Sequence, residues 1–295
     1  MNRPGGRYYR FLSLLAGLLL SGSLAAQESQ IWRKVAPENL VFIGMREGEI
    51  VLELNPDFAP VTSARFRDLV REDFYRGLSF YRVIEGFVAQ AGTESDLPPS
   101  ADQQLPPEFE RSWDASLNWT PVQNGDLYAT QTGFVDGVPA AREGGQIWLA
   151  HCPGAVAMAR DTAPDSGSTD FYIVLGQAPR YLDRNLTVFA RVIDGMEVAQ
   201  RIQRGAAAEN GIISNDLARS RIGRMRLFDQ LSDEERREYY VVDTNSDAFR
   251  KALEQRRERR DAFFIQTPPA VLDVCQVPVA SRAERAGISR ELNPK

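Results

Sequence analysis

The amino-acid sequence predicts a mainly β protein, and three observations support that class. Two apolar runs, residues 40–43 and 50–54, flank a polar turn with Gly48 near its tip, which is the pattern of a β-hairpin. Residues 78–84 then show the two-residue alternation of a strand. Further strand-like runs, rich in branched and aromatic residues, recur between residues 154 and 228.

A helix is predicted between the hairpin and the next strand. Pro60 suits its first turn, and the pattern continues to about Asp73. In the strand that follows, SFYRVI, alternation puts Phe80, Arg82 and Ile84 on one face. An arginine on that face needs a partner or water, because burying its charge alone is costly. Arg82 is therefore a candidate functional residue, although a surface arginine with its stem along apolar neighbours would give the same pattern.

Composition and charge limit the chemistry. The chain has 295 residues, enough for one large or two modest domains. Its formal net charge of -5 does not favour nucleic acid or an anionic membrane surface as a partner. One histidine, His151, and two distant cysteines give no metal-ligand spacing, so neither a metal site nor a histidine-assisted nucleophile is expected. We interpret the position of His151 beside Cys152 as a structural coincidence.

Residues 1–26 have the pattern of a secretory signal peptide. Arginines precede an apolar run at residues 11–20, and small residues follow it up to Ala26. A membrane anchor is the alternative, but the run is short for a bilayer span. The mature protein is expected to be soluble and periplasmic or secreted. In such a compartment Cys152 and Cys275 either form one disulfide or remain two buried thiols, and the sequence leaves both open.

Two segments flank the first strands without clear periodicity. Residues 27–37 are interpreted as a polar leader. Residues 93–150 are punctuated by prolines and glycines, and a structureless loop of that length is uncommon in a compact domain. Their scattered aromatic residues argue against disorder, so we expect an ordered insertion.

Residues 230–295 are predicted to form a C-terminal extension with helices. A capping-box pattern begins at Ser232, and Ser246 opens a second helix. Residues 270–274 suggest a short strand that pairs back on the body. The chain after Ser281 is expected to fray.

The stretch F-x-R-V-I-x-G-F-x-x-Q at residues 80–90 resembles the signature of the cyclophilin family of peptidyl-prolyl cis/trans isomerases. The preceding hairpin and helix, the segment GAVAMAR at residues 154–160 and a closing strand at 220–228 extend this resemblance. It implies a closed, antiparallel, eight-stranded barrel capped by two helices over residues 38–229. It implies no cofactor. The implied partners are proline-containing segments of unfolded or folding exported proteins, with no nucleic acid and no membrane after signal cleavage.

The resemblance also implies roles for individual residues. An X-Pro amide isomerises over a barrier of ~18–20 kcal/mol because its C–N bond is partly double. A donor aimed at the prolyl nitrogen draws its lone pair out of resonance, and Arg82 takes that catalytic role. The positions that resemble substrate-binding residues of the family are Phe87, Val88, Gln90, Ala159, Arg160, Asp170, Tyr172, Tyr181 and Leu182.

Four positions depart from the family pattern. Tyr81 replaces the histidine beside the catalytic arginine, and Asp170 replaces a glutamine. Tyr181 stands where many members have tryptophan or phenylalanine, and Leu186 replaces a histidine. The Asp170 carboxylate either pairs with Arg82 and holds its head away from substrate, or orients it productively. A cyclophilin-fold module that binds proline peptides with little turnover is therefore the alternative to an isomerase.

Overall fold

The structure is a computed structural model that describes residues 31–94 and 103–285. The predicted signal peptide, residues 1–26, lies outside the described residues. Within the two described ranges, no helix is both long enough and apolar enough to cross a membrane.

The described residues form sixteen strands and three α-helices. The strands are β1 (Trp32–Lys34), β2 (Leu40–Met45), β3 (Gly48–Leu54), β4 (Ser79–Val83), β5 (Val88–Gly92), β6 (Arg111–Ser112), β7 (Trp119–Asn124), β8 (Gln131–Val135), β9 (Val138–Glu143), β10 (Gln146–Leu149), β11 (Ala155–Met158), β12 (Phe171–Val174), β13 (Val188–Asp194), β14 (Ser220–Leu227), β15 (Arg237–Val242) and β16 (Ser281–Arg285). The helices are α1 (Pro60–Arg71), α2 (Met196–Ala199) and α3 (Asp247–Glu258).

Eight strands close into an antiparallel barrel in the order β11–β12–β5–β4–β14–β2–β3–β13, which confirms the predicted fold class. The predicted hairpin is β2–β3, with Met45 paired to Gly48 at its turn. Alternate residues of these strands, such as Ile43 and Ile50, are fully buried in the barrel interior. This is the burial expected when one face of a sheet closes on itself.

Helix α1 covers the barrel interior from one side. It begins at Pro60 as predicted and ends at Arg71. The fully buried ring of Phe66 lies 5.3 Å from that of Phe171 and 4.9 Å from that of Phe189, measured between ring centroids. The helix therefore completes the core by aromatic packing.

The predicted insertion contains a five-stranded antiparallel sheet in the order β6–β10–β9–β8–β7. Just before this sheet, Glu108 accepts hydrogen bonds from the backbone N–H groups of Val61 and Thr62, each at 2.9 Å. The helix N-cap residue, Ala59, offers no side-chain bond of its own. The insertion thus supplies the cap of α1 from outside the helix.

The insertion sheet packs on the outer face of the barrel through an apolar group that we call the outer cluster. Its buried members are Phe58, Val88, Val135, Val138, Ala140, Ile147, Leu149, Ala155, Ala157, Tyr172, Val174 and Val188. Half-buried side chains pack against it: Phe87, Trp113, Leu117, Trp119, Ala159 and Leu186. The outer cluster therefore joins insertion residues to barrel strands that carry predicted site residues.

The two ends of the described chain meet in a third sheet of order β1–β15–β16. The interpretation of residues 27–37 as a leader is wrong for β1, in which Trp32 pairs with Val242. The expected fraying after Ser281 is wrong as far as Arg285, because β16 pairs with β15. Short strands of this kind are stable only with their partners, so their own sequence carries little signal.

The C-terminal extension is less helical than predicted. Half of the capping box is present, since the Ser232 N–H donates to Oε2 of Glu235 at 3.0 Å, but a turn and strand β15 follow it. One capping bond does not offset the cost of helix nucleation. Residues 270–274 form no strand and lead into a single 3₁₀ turn, Val274–Gln276. Helix α3 does begin after Ser246, whose side chain accepts from a helical N–H as predicted.

The extension is joined to the insertion by packing and by a covalent bond. Phe249 and Leu253 of α3 share an apolar cluster with Phe134 of β8. Cys152 and Cys275 form a disulfide, with Cα atoms 4.9 Å apart. Of the two states that the sequence left open for these cysteines, the bridged one is present.

Candidate active site

A β-bulge in β4 decides which way Arg82 points. The register of β4 against β5 shifts between Phe80 and Arg82, which leaves Tyr81 as an extra residue. Phe80 and Val83 are fully buried in the barrel core, whereas Arg82 is half-buried on the outer face. The prediction that Arg82 shares a face with Phe80 is therefore wrong, because one extra residue reverses the alternation.

Two contacts hold the guanidinium of Arg82. Its Nε donates to the carbonyl oxygen of Asn210 and its Nη1 to Oε1 of Gln90, each at 3.2 Å. The loop that supplies Asn210 is itself bonded to β4, since the Val83 N–H donates to the Gly211 carbonyl at 2.8 Å. Among the described residues, the Nη2 amino group of Arg82 has no hydrogen-bond partner, so it is free to donate.

A chain of hydrogen bonds leads from Arg82 to Asp170. Gln90, which accepts from Arg82, donates through Nε2 to the Tyr81 hydroxyl at 2.5 Å. Tyr81 in turn donates to Oδ2 of Asp170 at 2.8 Å. Burial and the nearby Asp170 charge raise the pKa of Tyr81, so its hydroxyl keeps the proton that it donates. Asp170 therefore acts on Arg82 through two side chains rather than by a direct ion pair.

The backbone holds the Asp170 carboxylate in place. Its Oδ1 accepts from the Thr93 N–H at 2.8 Å, and its Oδ2 accepts from the Glu94 N–H at 3.1 Å. Gly92 is required beside it, because a Cβ at that position would lie 2.0 Å from Oδ1 and the φ angle is +147°. A carboxylate fixed in this way stays directed away from Arg82.

A cleft of about 170 Å³ opens beside this carboxylate. It brings together Tyr81 of β4 and Gln90 of β5 with Ala159, Arg160 and Asp170 from the segment between β11 and β12. The backbone N–H of Ala159 donates to the Asp170 carbonyl at 2.8 Å. Arg160 is engaged in bracing its own loop, since its Nε donates to the Asn185 carbonyl at 3.0 Å. These residues form one polar wall of the candidate site.

An apolar patch lies next to Gln90 on the same outer face. Tyr172 pairs with Gln90 across β12 and β5, and Val88 pairs with Val174. Val88 is 2% exposed and Tyr172 4% exposed, whereas Phe87 is half-exposed. The patch thus has a buried floor at Val88 and Tyr172 and a partly exposed edge at Phe87, and we call it the proline slot after the role that the family resemblance implies.

Tyr181 and Leu182 lie on a single 3₁₀ turn, Arg180–Leu182, that we call the rim segment. Leu182 is half-buried. Tyr181 is 62% exposed and lines a second cleft, of about 510 Å³, together with Tyr128 of the insertion. Predicted site residues therefore line two separate clefts, and the apolar patch lines neither of them.

Sequence reasoning missed a buried polar chain behind Tyr172. His151 is 0% exposed; its Nε2 lies 2.9 Å from the Tyr172 hydroxyl and its Nδ1 lies 3.0 Å from Oδ1 of Asp183. Both ring nitrogens of His151 therefore have buried partners, which its position beside Cys152 in the sequence did not indicate. No sequence spacing relates the three positions, so only the fold brings them together.

Comparison with known proteins agrees with the barrel fold. Residues 40–222 match the family model for the cyclophilin type peptidyl-prolyl cis-trans isomerase. The chain is 33% identical over 179 residues to a probable peptidyl-prolyl cis-trans isomerase of Brucella suis biovar 1 (strain 1330), which covers 61% of this chain and 79% of that relative. It is 29% identical over 180 residues to peptidyl-prolyl cis-trans isomerase B of Escherichia coli (strain K12), covering 59% of this chain and 89% of that protein.

Among solved structures, the cyclophilin AquaCyp293 from Hirschia baltica matches with a TM-score of 0.70 and 28% identity. The match covers 86% of this chain and 94% of that chain, so the similarity extends beyond the region of the family model. The family model and these relatives define an enzyme that isomerises X-Pro bonds. This chain belongs to the cyclophilin-type peptidyl-prolyl cis/trans isomerases.

Proposed function

We propose that this protein accelerates the cis/trans exchange of X-Pro bonds while exported proteins fold in the periplasm or outside the cell, with Arg82 as its catalytic residue. The observation that supports this most directly is the outward guanidinium of Arg82. It has a free Nη2 donor, and it lies one strand away from Val88 and two strands away from Tyr172 of the apolar patch.

The proposed mechanism uses that donor selectively in the transition state. The lone pair of the prolyl nitrogen is tied up in the planar amide and becomes available only as the bond twists. A hydrogen bond from Arg82 to that nitrogen is therefore stronger in the transition state than in the ground state, which is the condition for catalysis. Gln90 and the Asn210 carbonyl hold the guanidinium in advance, so little reorganisation accompanies the twist.

The apolar patch supplies the second half of the mechanism. A proline ring packed against Phe87 and Tyr172 is held while the acyl side of its amide rotates. Val88 lies buried beneath it, so the floor is apolar and excludes water. Gln90 holds a backbone group of the substrate and links the patch to Arg82.

Substitution of Arg82 tests this mechanism. We expect Arg82→Ala to lower kcat/KM for an Xaa-Pro peptide by about 100-fold, the typical loss of a preorganised donor. Arg82→Lys should retain an intermediate rate, since it keeps the charge but loses the fixed fork. Arg224→Ala is the matched control, because Arg224 is an exposed arginine on a barrel strand outside the site. Protease-coupled or NMR exchange rates that are equal for Arg82→Ala and the wild-type protein would remove Arg82 from the mechanism.

The same assay separates the isomerase from the alternative function. A cyclophilin-fold binding module would bind proline peptides without accelerating isomerisation, and Tyr172→Ala would weaken that binding. An isomerase shows both binding and rate enhancement.

The proposed export is tested separately. Residues 1–26 fused to a reporter that is active only outside the cytoplasm should give activity and a processed N-terminus near Ala26. Replacing Leu14 and Leu15 with arginine interrupts the apolar run and should abolish both. A reporter that stays cytoplasmic with the native segment would refute export.

A further inference from the structure

The floor residue Tyr172 is held from behind by the single histidine of the chain. His151 follows β10 of the insertion, and its ring lies nearly parallel to that of Tyr172, at an interplanar angle of 18°. Its Nε2 lies 2.9 Å from the Tyr172 hydroxyl. Within the described part of the chain this is the only hydrogen bond of that buried hydroxyl.

Asp183 determines which ring nitrogen of His151 carries the proton. Its carboxylate accepts from the His151 backbone N–H at 2.9 Å, from Trp148 Nε1 at 3.3 Å and from Arg180 Nε at 2.5 Å. An acceptor 3.0 Å from Nδ1 requires that Nδ1 bear hydrogen. In this tautomer Nε2 presents its lone pair, so the Tyr172 hydroxyl donates to it. The hydroxyl is thereby directed away from the proline slot.

The same carboxylate ends the rim segment. Arg180 begins that segment, bonds to Asp183 and also pairs with Asp126 of the insertion at 3.3 Å. Tyr181 and Leu182 lie between these two anchored residues. One buried network therefore reaches from the slot floor, through His151, to the rim and the insertion.

We propose that His151 is a positioning residue for the isomerase site, which deepens the proposed function and rests on it. His151 fixes the Tyr172 ring at the floor of the proline slot and, through Asp183, fixes Leu182 and Tyr181 at its rim. It is fully buried and does not touch the substrate. Its effect is on how well the slot fits a proline ring, not on the donor that Arg82 supplies.

Kinetics of a double-mutant cycle test this role. His151→Leu leaves the Tyr172 hydroxyl buried without a partner, so the floor must shift, and we expect KM to rise about tenfold with kcat nearly unchanged. Tyr172→Phe added to His151→Leu removes the orphaned hydroxyl and should restore KM to that of Tyr172→Phe alone. Arg82→Ala, in contrast, should lower kcat.

Thr120→Val is the control for the loss of a buried hydrogen bond. Thr120 of the insertion donates to the carbonyl oxygen of Thr244 in the extension at 2.8 Å, and the two residues are 124 positions apart in the chain. The KM of Thr120→Val should equal that of the wild-type protein. A wild-type KM for His151→Leu, or a double variant no better than His151→Leu, would overturn the proposal.

A spectroscopic test reads the tautomer and the response to peptide in the intact wild-type protein, and uses a variant only for the response to loss of the Tyr172 hydroxyl. Because the chain has one histidine, imidazole labelled with ¹⁵N reports on His151 alone. We expect the Nδ1-protonated tautomer and a displacement of the Nε2 resonance by an Ala-Pro peptide and by Tyr172→Phe. An Nε2-protonated ring, or resonances that neither change moves, would refute the positioning role.

The two tests distinguish the proposals. If the His151 imidazole responds to peptide but the wild-type protein does not accelerate isomerisation, the positioning role stands and the proposed function is refuted. If the protein is an active isomerase but neither peptide nor Tyr172→Phe shifts the His151 resonances, the proposed function stands and the positioning role is refuted.

Discussion

The Tyr81 hydroxyl donates a hydrogen bond of 2.8 Å to the carboxylate of Asp170. Both positions depart from the cyclophilin pattern, and the two departures are bonded to each other. Asp170 is also satisfied by the N–H groups of Thr93 and Glu94. Its negative charge is therefore balanced locally, and the Arg82 guanidinium remains available to a substrate.

Tyr81→Phe should lower kcat/KM by about fivefold, because it removes the acceptor of the Gln90 amide, which in turn holds Arg82. One net hydrogen bond corresponds to about 1 kcal/mol, or somewhat less than a factor of ten. Tyr81→His returns the family residue and should retain more activity, since its ring nitrogen can still bond. Exchange rates of a prolyl peptide rank the wild-type protein, Tyr81→His and Tyr81→Phe. A Tyr81→Phe rate equal to that of the wild-type protein would contradict the link from Tyr81 through Gln90 to Arg82.

The stability of the fold should depend on Asp183 in acid. Burial alone would raise the pKa of the Asp183 carboxyl, but hydrogen bonds from His151 and the charge of Arg180 hold that pKa below its usual value. A depressed pKa gives stability that is present above the unfolded value of about 3.9 and is lost as the pH falls through the folded value. The free energy of unfolding of the wild-type protein should therefore decline below about pH 4, and less so in Asp183→Asn.

Urea unfolding at a series of pH values measures this difference. Asp233→Asn is the control, because its carboxylate is 93% exposed and its ion pair with Arg236 contributes little. Asp183→Asn should also be less stable near neutral pH, since it leaves Arg180 buried without its ionised partner. Parallel acid profiles for Asp183→Asn and the wild-type protein would rule out this contribution.

Loss of the Cys152–Cys275 disulfide should lower the free energy of unfolding by about 2–5 kcal/mol. The bridge spans 123 residues, so it restricts a long loop in the unfolded chain. The double variant Cys152→Ala/Cys275→Ala, compared with oxidised wild-type protein in urea, measures the loss. Reduced wild-type protein should unfold like the variant, and equal midpoints for oxidised and variant protein would be inconsistent with a bridge that stabilises the fold.

Glu108→Ala should destabilise the protein by about 1 kcal/mol, because it removes the acceptor for two N–H groups at the start of α1. Glu108→Gln should lose less, since its amide oxygen still accepts. Asp229→Asn removes an exposed ion pair with Arg71 at the other end of this helix and should change stability by less than about 0.5 kcal/mol. A urea midpoint that falls further in Asp229→Asn than in Glu108→Ala would show that the cap from the insertion does not stabilise α1.

Local patterns were sufficient for the parts of the fold whose contacts are close in sequence. The β2–β3 hairpin and the start of α1 at Pro60 follow from alternation and from the residues at the turns. The start of α3 after Ser246 follows from its cap. The same reasoning failed at Ser232, where half of a capping box is followed by a strand that long-range pairing stabilises.

In the site, Arg82 could be selected from the sequence, but its direction could not. The bulge at Tyr81 is a property of the pairing between β4 and β5 and reverses the inferred face. The partner of Asp170 also depends on that bulge, which brings the Tyr81 hydroxyl beside the carboxylate.

The amino-acid order pointed to the proposed chemistry through Arg82, Phe87 and Val88, because these residues lie within one strand signature, a few positions from one another. The assembled fold specified the environment of that chemistry. It decided that Asp170 binds Tyr81, that the insertion closes the floor of the slot and that His151 stands between Tyr172 and Asp183. Those contacts join residues far apart in the chain, and their energies exist only once the barrel, the insertion and the extension pack together.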